Sequence, residues 1–167
     1  RLESEMRLAA TVQSQLFQWE RIERDDVILG NYVQMADSTG GDWAHYHLAQ
    51  ERYLYMICGD VVGHGLPSAL VVSAVAGCFE SLKADLDAPD HKFHVREIMA
   101  RVHSVVQAAG RGNFPMTMFL IKLDLMDGKV AYACAGHPPA RIVSISKDGT
   151  RVVRRLRGRA DYLGSHV

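Results

Sequence analysis

Cysteine is scarce in this sequence and nowhere arranged in pairs: Cys58, Cys78 and Cys134 each sit in an apolar run, with no CxxC spacing. An odd number in such settings argues against a disulfide framework and for reduced core thiols in a cytosolic compartment. Charge of one sign is also lacking. Nineteen basic residues balance nineteen acidic ones, so no global field draws the chain to nucleic acid or to an anionic membrane. No stretch approaches the ~20 apolar residues of a membrane helix. No signal peptide is visible, since the N-terminus is charged from Arg1 through Arg7. The sequence has no initiating Met and ends at Gly164-Ser165-His166-Val167 without a closing element, so it reads as a piece of a longer chain.

What is present suits one folded domain. The 167 residues are 48% hydrophobic and 23% charged, with 14 Gly and 5 Pro, enough for a single core and too few for two ordinary domains. The one local charge excess is basic, at Arg151, Arg154, Arg155, Arg157 and Arg159. A solvated strand and loop is its plain reading, and an anion-binding patch the sharper one.

Periodicity organises the chain. Leu2, Met6, Ala9, Val12, Leu16 and Phe17 recur at three- and four-residue spacing among polar residues, which predicts an amphipathic linker helix within residues 1–20. Its narrow seam suits pairing with a second helix, as in a homodimer, and equally suits packing on its own domain. The domain proper follows over 21–167. A strand is expected over Val27 to Val33, another over Asp42 to Leu48, and a buried central one from Tyr53 to Cys58 that stops at Gly59-Asp60. Two helices come next, one from Leu66 to about Leu86 and one over Val95 to Ala109 that should end at Gly110 or Gly112. Strands then return: Met116 to Leu125, Lys129 to Ala135, Arg141 to Ser146 and Val152 to Leu156, with turns at Asp127-Gly128 and Asp148-Gly149. Blocks of strands and blocks of helices argue for α+β layers.

Two carboxylates stand out by their surroundings. Asp42 follows Gly40-Gly41, and Asp60 lies in Gly59-Asp60-Val61-Val62-Gly63-His64-Gly65. A hard divalent cation takes oxygen ligands, and glycine lets bare backbone come close to it. Either motif alone is commonly a strand-ending turn whose Asp caps a helix. Taken together, GGDW at 40–43, CGDVVGHGLPSAL at 58–70, the single Thr117 of the Phe114-to-Phe119 strand entry and AGHPP at 135–139 resemble the stage II sporulation protein E branch of the protein phosphatase 2C-like superfamily.

The resemblance implies an antiparallel β-sandwich flanked by helices, in αββα order and incomplete at the C-terminus of this chain. It also implies a binuclear Mn²⁺ or Mg²⁺ site. Asp42 and Asp60 match the first two metal-binding aspartates, which makes them the catalytic candidates, and Val61 matches the residue that offers its backbone carbonyl to metal. Two such ions lower the pKa of a water between them and stabilise charge on phosphoryl oxygens. The implied activity is removal of phosphate from phosphoserine or phosphothreonine, with a phosphorylated anti-sigma factor antagonist as substrate and an upstream sensor domain acting through the N-terminal helix.

Two departures from the family pattern matter. Where the family often carries a second aspartate three residues after Asp42, this chain has His45, a change expected to alter contacts around the site. The family's later Thr-Asp-Gly and Asp-Asp segments are absent, and Asp124, Asp127, Asp148 and Asp161 sit in strands or turns and do not replace them. A non-catalytic pseudophosphatase or dimeric scaffold is therefore the competing reading. His45, His47, His64 and His137 raise a zinc alternative, and His45 and His47 would share a strand face. No HxxxH and no cysteine partner supports zinc. His91, His94 and His103 read as helix-surface residues, while His64 and His137 read as loop residues near the active face.

Overall fold

The computed structural model describes residues 2–17, 21–34, 39–90, 93–158 and 160–165. His91 and Arg159 lie outside the described residues, as does the 18–20 end of the linker.

The linker forms helix α1, Leu2–Ser14, followed by a turn through Phe17. It packs on its own domain: Gln13 and Phe17 are buried, and Leu16 rests against the core. Leu8 and Val12 remain exposed one turn apart. The strand expected over Val27 to Val33 shrinks to a small antiparallel pair, β1 at Ile22–Glu23 and β2 at Ile28–Leu29. Its apolar residues lack a facing layer: Ile28 is 62% and Tyr32 80% exposed. A strand extends when its side chains find a surface to cover, and these do not.

The main sheet is antiparallel, in the order β3 (Asp42–Ala49), β4 (Tyr53–Val61), β5 (Met116–Asp124), β6 (Val130–Ala135). Alternation sorts its faces. Trp43, Tyr55, Ile57, Val61, Met116, Met118 and Leu120 point into one core with α2 (Leu66–Asp87) and α3 (Val95–Gly110). Burying each of the large side chains contributes about 1.5–3 kcal/mol relative to exposure. Strand β4 runs three residues past the expected end, through Gly59-Asp60 to Val61, because β3 and β5 continue to pair with it on both sides. Gly59 is required there, since a Cβ would lie 2.5 Å from Met116 Cε and 2.8 Å from the Thr117 carbonyl oxygen.

Helix α2 opens with Pro67 in its first turn and buries Phe79, Leu82 and Leu86. Helix α3 begins at His94, whose backbone N–H donates to Glu97 Oε2 at 2.8 Å. The helix ends at Gly110, one of the two glycines expected to stop it, although the left-handed position after it is not a glycine. Gly110 is its last helical residue, buried against Phe114, and Arg111 takes the left-handed position at φ 46° before Gly112. Strands β7 (Ala140–Ile145) and β8 (Arg151–Leu156) form a separate two-stranded ribbon. Antiparallel sheets with flanking helices are the α+β architecture anticipated for the chain. No helix among the described residues is long and apolar enough to cross a membrane.

Candidate metal centre

The extension of β4 builds the site. In the β3–β4 register Asp42 lies directly opposite Asp60, and in the β4–β5 register Asp60 lies directly opposite Thr117. Opposed residues share a face, so the three side chains form a row on the face away from the helices. Thr117 Oγ1 sits 2.8 Å from His137 Nδ1, which brings the AGHPP loop to the end of that row. Asp42, Cys58, Gly59 and His137 line one hollow of about 220 Å³, together with Tyr32 and Gln34. A larger cleft, about 670 Å³, lies elsewhere, between α3 and β6, and neither the three residues of the row nor His137 lines it.

Backbone reaches the row because side chains are missing there. A Cβ at Gly41 would lie 2.4 Å from the Val61 carbonyl oxygen and 3.2 Å from its nitrogen. The Val61 N–H donates to the Gly41 carbonyl at 3.0 Å, and the Val62 N–H to the Pro115 carbonyl at 2.9 Å. Gly63 and Gly65 follow at φ 101° and 70°, conformations that favour glycine. Ser68, fully buried, supports this loop: its Oγ lies 3.5 Å from the Val62 carbonyl and packs beneath Gly63. His64 is exposed on the same loop.

Electrostatics set the row apart. Partial burial raises the Asp60 carboxyl above its ordinary range, the Asp42 charge adds to the rise, and His137 opposes it. Burial lowers His137, against the pull of Asp60 and Asp42. Two carboxylates held this way repel each other, and a cation between them relieves the repulsion. Hard oxygen donors fit Mg²⁺ or Mn²⁺. Among the described residues no group of three or more His, Cys, Asp or Glu side chains converges, so Asp42, Asp60 and the Val61 carbonyl make a partial shell.

His45 does not adjoin the row. It is one strand-face removed from Asp42 and points into the core, stacked on Trp43 at 5.5 Å between ring centroids and meeting Phe79 edge-on at 5.4 Å. The expectation that it modulates contacts around the site is thus corrected by strand parity. His47 shares its face, as anticipated, and each approaches an acid of α2: His45 Nε2 is 3.1 Å from Glu80 Oε1 and His47 Nε2 is 2.9 Å from Asp87 Oδ1. His64 and His137 belong to different loops on the other side, so the four histidines do not assemble. Three of the four remaining acids are engaged elsewhere. Asp124 grips Arg52 at the far end of β5, Asp127 binds Lys129 in its turn, and Asp148 accepts from the Thr150 N–H.

Sequence reasoning gave Gln13 and Ser68 no part in the site. The Gln13 carboxamide donates to the Gly40 carbonyl at 2.7 Å and accepts from the Gly40 N–H at 3.1 Å. It looked like a polar spacer in an amphipathic stripe, and no local pattern distinguishes it from Gln15.

Residues 50–164 match the family model for stage II sporulation protein E. Among curated proteins, the phosphoserine phosphatase RsbU of Bacillus subtilis (strain 168) is 26% identical over 149 residues, 89% of this chain and 42% of that protein. The phosphoserine phosphatase RsbP of the same organism is 28% identical over 137 residues, 81% of this chain and 33% of that one. The chain thus spans less than half the length of the curated relatives it matches. The structure of the RsbU and RsbW domains of Rv1364c from Mycobacterium tuberculosis aligns with a TM-score of 0.59 at 28% identity, over 79% of this chain and 35% of that one. The SiaA-PP2C domain of Pseudomonas aeruginosa aligns over 99% of this chain and 63% of that one, with a TM-score of 0.62 at 17% identity, and so speaks for the fold alone. With the matched model covering more than half of its length, the chain belongs to the stage II sporulation protein E family.

Proposed function

We propose that the protein is a metal-dependent phosphatase of phosphoserine or phosphothreonine in a bacterial signalling pathway, acting in the cytoplasm on a phosphorylated anti-sigma factor antagonist. The observation that carries the reading is the direct opposition of Asp42 and Asp60 beside a glycine-bared Val61 carbonyl. That two relatives bear the name phosphoserine phosphatase supports the same reading.

Asp42, Asp60 and the Val61 carbonyl would hold Mn²⁺ or Mg²⁺, which, when bound, activates water and stabilises charge on the phosphoryl oxygens. The protein's own residues then have three tasks. The carboxylates sit on neighbouring strands of a rigid sheet, so their separation is fixed by the ladder and not by a loop. Thr117 Oγ1 holds His137 Nδ1 and thereby directs the other ring nitrogen. Ser68 and the Gly63–Gly65 turn keep the 61–65 backbone close to the acids.

The linker within residues 1–20 is read as the input arm of an upstream sensor. Gln13 ties it to Gly40, two residues before Asp42, and the exposed Leu8 and Val12 suit a second copy of the helix in a homodimer. The test is phosphate release from a phosphoserine protein by the full-length parent, with Mn²⁺ and with the metal chelated. Metal-dependent release that Asp60→Asn abolishes supports the enzyme. Full-length protein that binds the phosphoprotein yet releases nothing in either condition would establish the pseudophosphatase scaffold instead.

A further inference from the structure

The AGHPP loop enters the candidate site at one residue, His137, and the chain fixes that residue from several sides. Gly136 donates its N–H to the Ala160 carbonyl at 3.0 Å and takes φ 60°, where a Cβ would lie 2.9 Å from the Tyr162 ring. The Cys134 thiol donates to the His137 carbonyl at 3.3 Å. Pro138 and Pro139 restrict the backbone that follows. A loop pinned this closely has given up its conformational freedom before any ligand arrives, which is what a preorganised contact requires.

The ring is fixed as well, and its partner decides where its proton sits. The Thr117 hydroxyl carries one proton and has two acceptors in reach, His137 Nδ1 at 2.8 Å and the Asp60 carbonyl at 3.4 Å. Only the first distance is that of an ordinary O–H hydrogen bond. Thr117 therefore donates to Nδ1 of the neutral ring, and the ring's own proton lies on Nε2. In the imidazolium both nitrogens carry protons, so Nε2 is a donor in either charge state. Among the described residues Nε2 has no hydrogen-bond partner, and no ion pair joins the ring to Asp42 or Asp60.

The hollow around His137 is short of donors. Asp42 lines it together with Cys58, Gly59 and His137, and among the described residues no Lys or Arg does. Asp60 stands opposite both Asp42 and Thr117 in the ladder. The other side-chain donors are placed differently: the Tyr32 hydroxyl donates to Gln34 Oε1 at 3.1 Å on an exposed segment, and the Trp43 ring is buried in the core. A phosphoryl group brought to the acids thus finds one donor held in place by the fold. We propose that His137 contacts the substrate, its Nε2–H donating a hydrogen bond to an oxygen of the phosphoryl group, with Thr117 as the residue that positions the ring and sets its tautomer. This assignment rests on the phosphatase reading above and names a phosphoryl contact within that site. The opposite arrangement, with Thr117 accepting from Nδ1, would leave a lone pair on Nε2 and make His137 a metal ligand or a base.

The experiment uses the full-length parent. With isotopically labelled histidine and Mg²⁺, the ring nitrogen resonances of His137, assigned by their absence from His137→Gln, should report a protonated Nε2 and an unprotonated Nδ1. Thr117→Val should let the two tautomers mix, and Thr117→Ser should restore the wild-type pattern. Calorimetric titration with inorganic phosphate in Mg²⁺ should give binding weaker by about tenfold or more in His137→Ala, the loss expected for a hydrogen bond to an anion. His137→Gln, which keeps an N–H donor, should retain most of the affinity. The same order should appear in kcat/KM for a phosphoserine protein and for p-nitrophenyl phosphate, since both present the same phosphoryl group. Mn²⁺ affinity, read by electron paramagnetic resonance, should not change in either His137 variant. An unprotonated Nε2, a fall in Mn²⁺ affinity, or phosphate binding that His137→Ala leaves intact would overturn the assignment. A loss confined to the phosphoserine protein would place His137 at the leaving oxygen and overturn it as well. If the wild type releases phosphate from neither substrate, the phosphatase reading fails separately, and the phosphate titration still decides: weaker binding in His137→Ala supports the contact, and equal or absent binding overturns it. Thermal melts check that the variants are folded. Should His137→Ala melt early, Thr117→Val carries the test, with mixed tautomers and weakened phosphate binding together in support, and mixed tautomers with unchanged binding against.

Discussion

Gln13 and Gly40 are joined by two hydrogen bonds in opposite directions, amide N–H to carbonyl at 2.7 Å and backbone N–H to amide oxygen at 3.1 Å. The side chain is 2% exposed, so neither bond is replaced by water when it is cut. Gln13→Ala leaves both Gly40 backbone groups unmatched and should cost about 1–3 kcal/mol. Because Gly40 leads directly into Gly41 and Asp42, the same variant should also require more Mn²⁺ for half-maximal phosphate release. Urea unfolding and a metal titration check the two effects. A stability loss with an unchanged metal requirement would show that the helix braces the domain without reaching the site.

Asp60→Asn should move stability in two directions. Without metal, the charged Asp60 is held above its ordinary pKa by burial and by Asp42, so it works against the fold once pH rises above its unfolded value. The amide removes that charge, and the metal-free variant should melt no lower than the wild type. With Mn²⁺ the order should reverse, since the wild type gains binding free energy and the variant does not. Thermal melts with and without Mn²⁺ measure both. A metal-induced rise that survives in the variant would place the ion elsewhere.

Much of this was legible in the sequence, for identifiable reasons. Helices α2 and α3 and strands β3 to β6 were visible because each has a core face long enough to show its period. Asp42 and Asp60 stood out because glycines flank them. What could not be seen is the register. Only the pairing shows that Asp42, Asp60 and Thr117 form one row, and that His45, three residues from Asp42, must lie on the other side of the sheet. Gly59-Asp60 looked like a strand end, since glycine usually weakens a strand. The close approach of Met116 and the Thr117 backbone makes it a necessary part of one. Gln13 was hidden for a related reason: its partner is 27 residues away, and no local signal marks it.

The end of α3 offers a stability test separate from function. Arg111 holds φ 46° and ψ 39°, with its N–H donating to the Gln107 carbonyl, and its side chain is exposed. A side chain in this conformation costs roughly 1–2 kcal/mol that glycine does not, partly offset by glycine's greater freedom when unfolded. Arg111→Gly should therefore raise stability by about 0.5–1 kcal/mol and leave phosphate release unchanged. Urea midpoints at constant slope test it.

His45 supplies the pH dependence. Its ring is 7% exposed between Trp43 and Phe79, and burial, with the Lys83 charge adding and Glu80 opposing, lowers its pKa from 6.5 to about 4. A histidine whose folded pKa lies below its unfolded one favours folding only while neutral. Between pH 6.5 and 4 the unfolded chain binds the extra proton, so stability is complete above about 6.5 and falls as pH drops toward 4. The full loss is on the order of 3 kcal/mol, less to the extent that Glu80 follows the new charge. His45→Phe keeps the aromatic stack and removes the proton site. Relative to wild type it should flatten the decline of urea-unfolding stability between pH 7 and 5, with the Asp60 and His137 contributions common to both proteins. If the two decline in parallel, His45 is not the group that titrates.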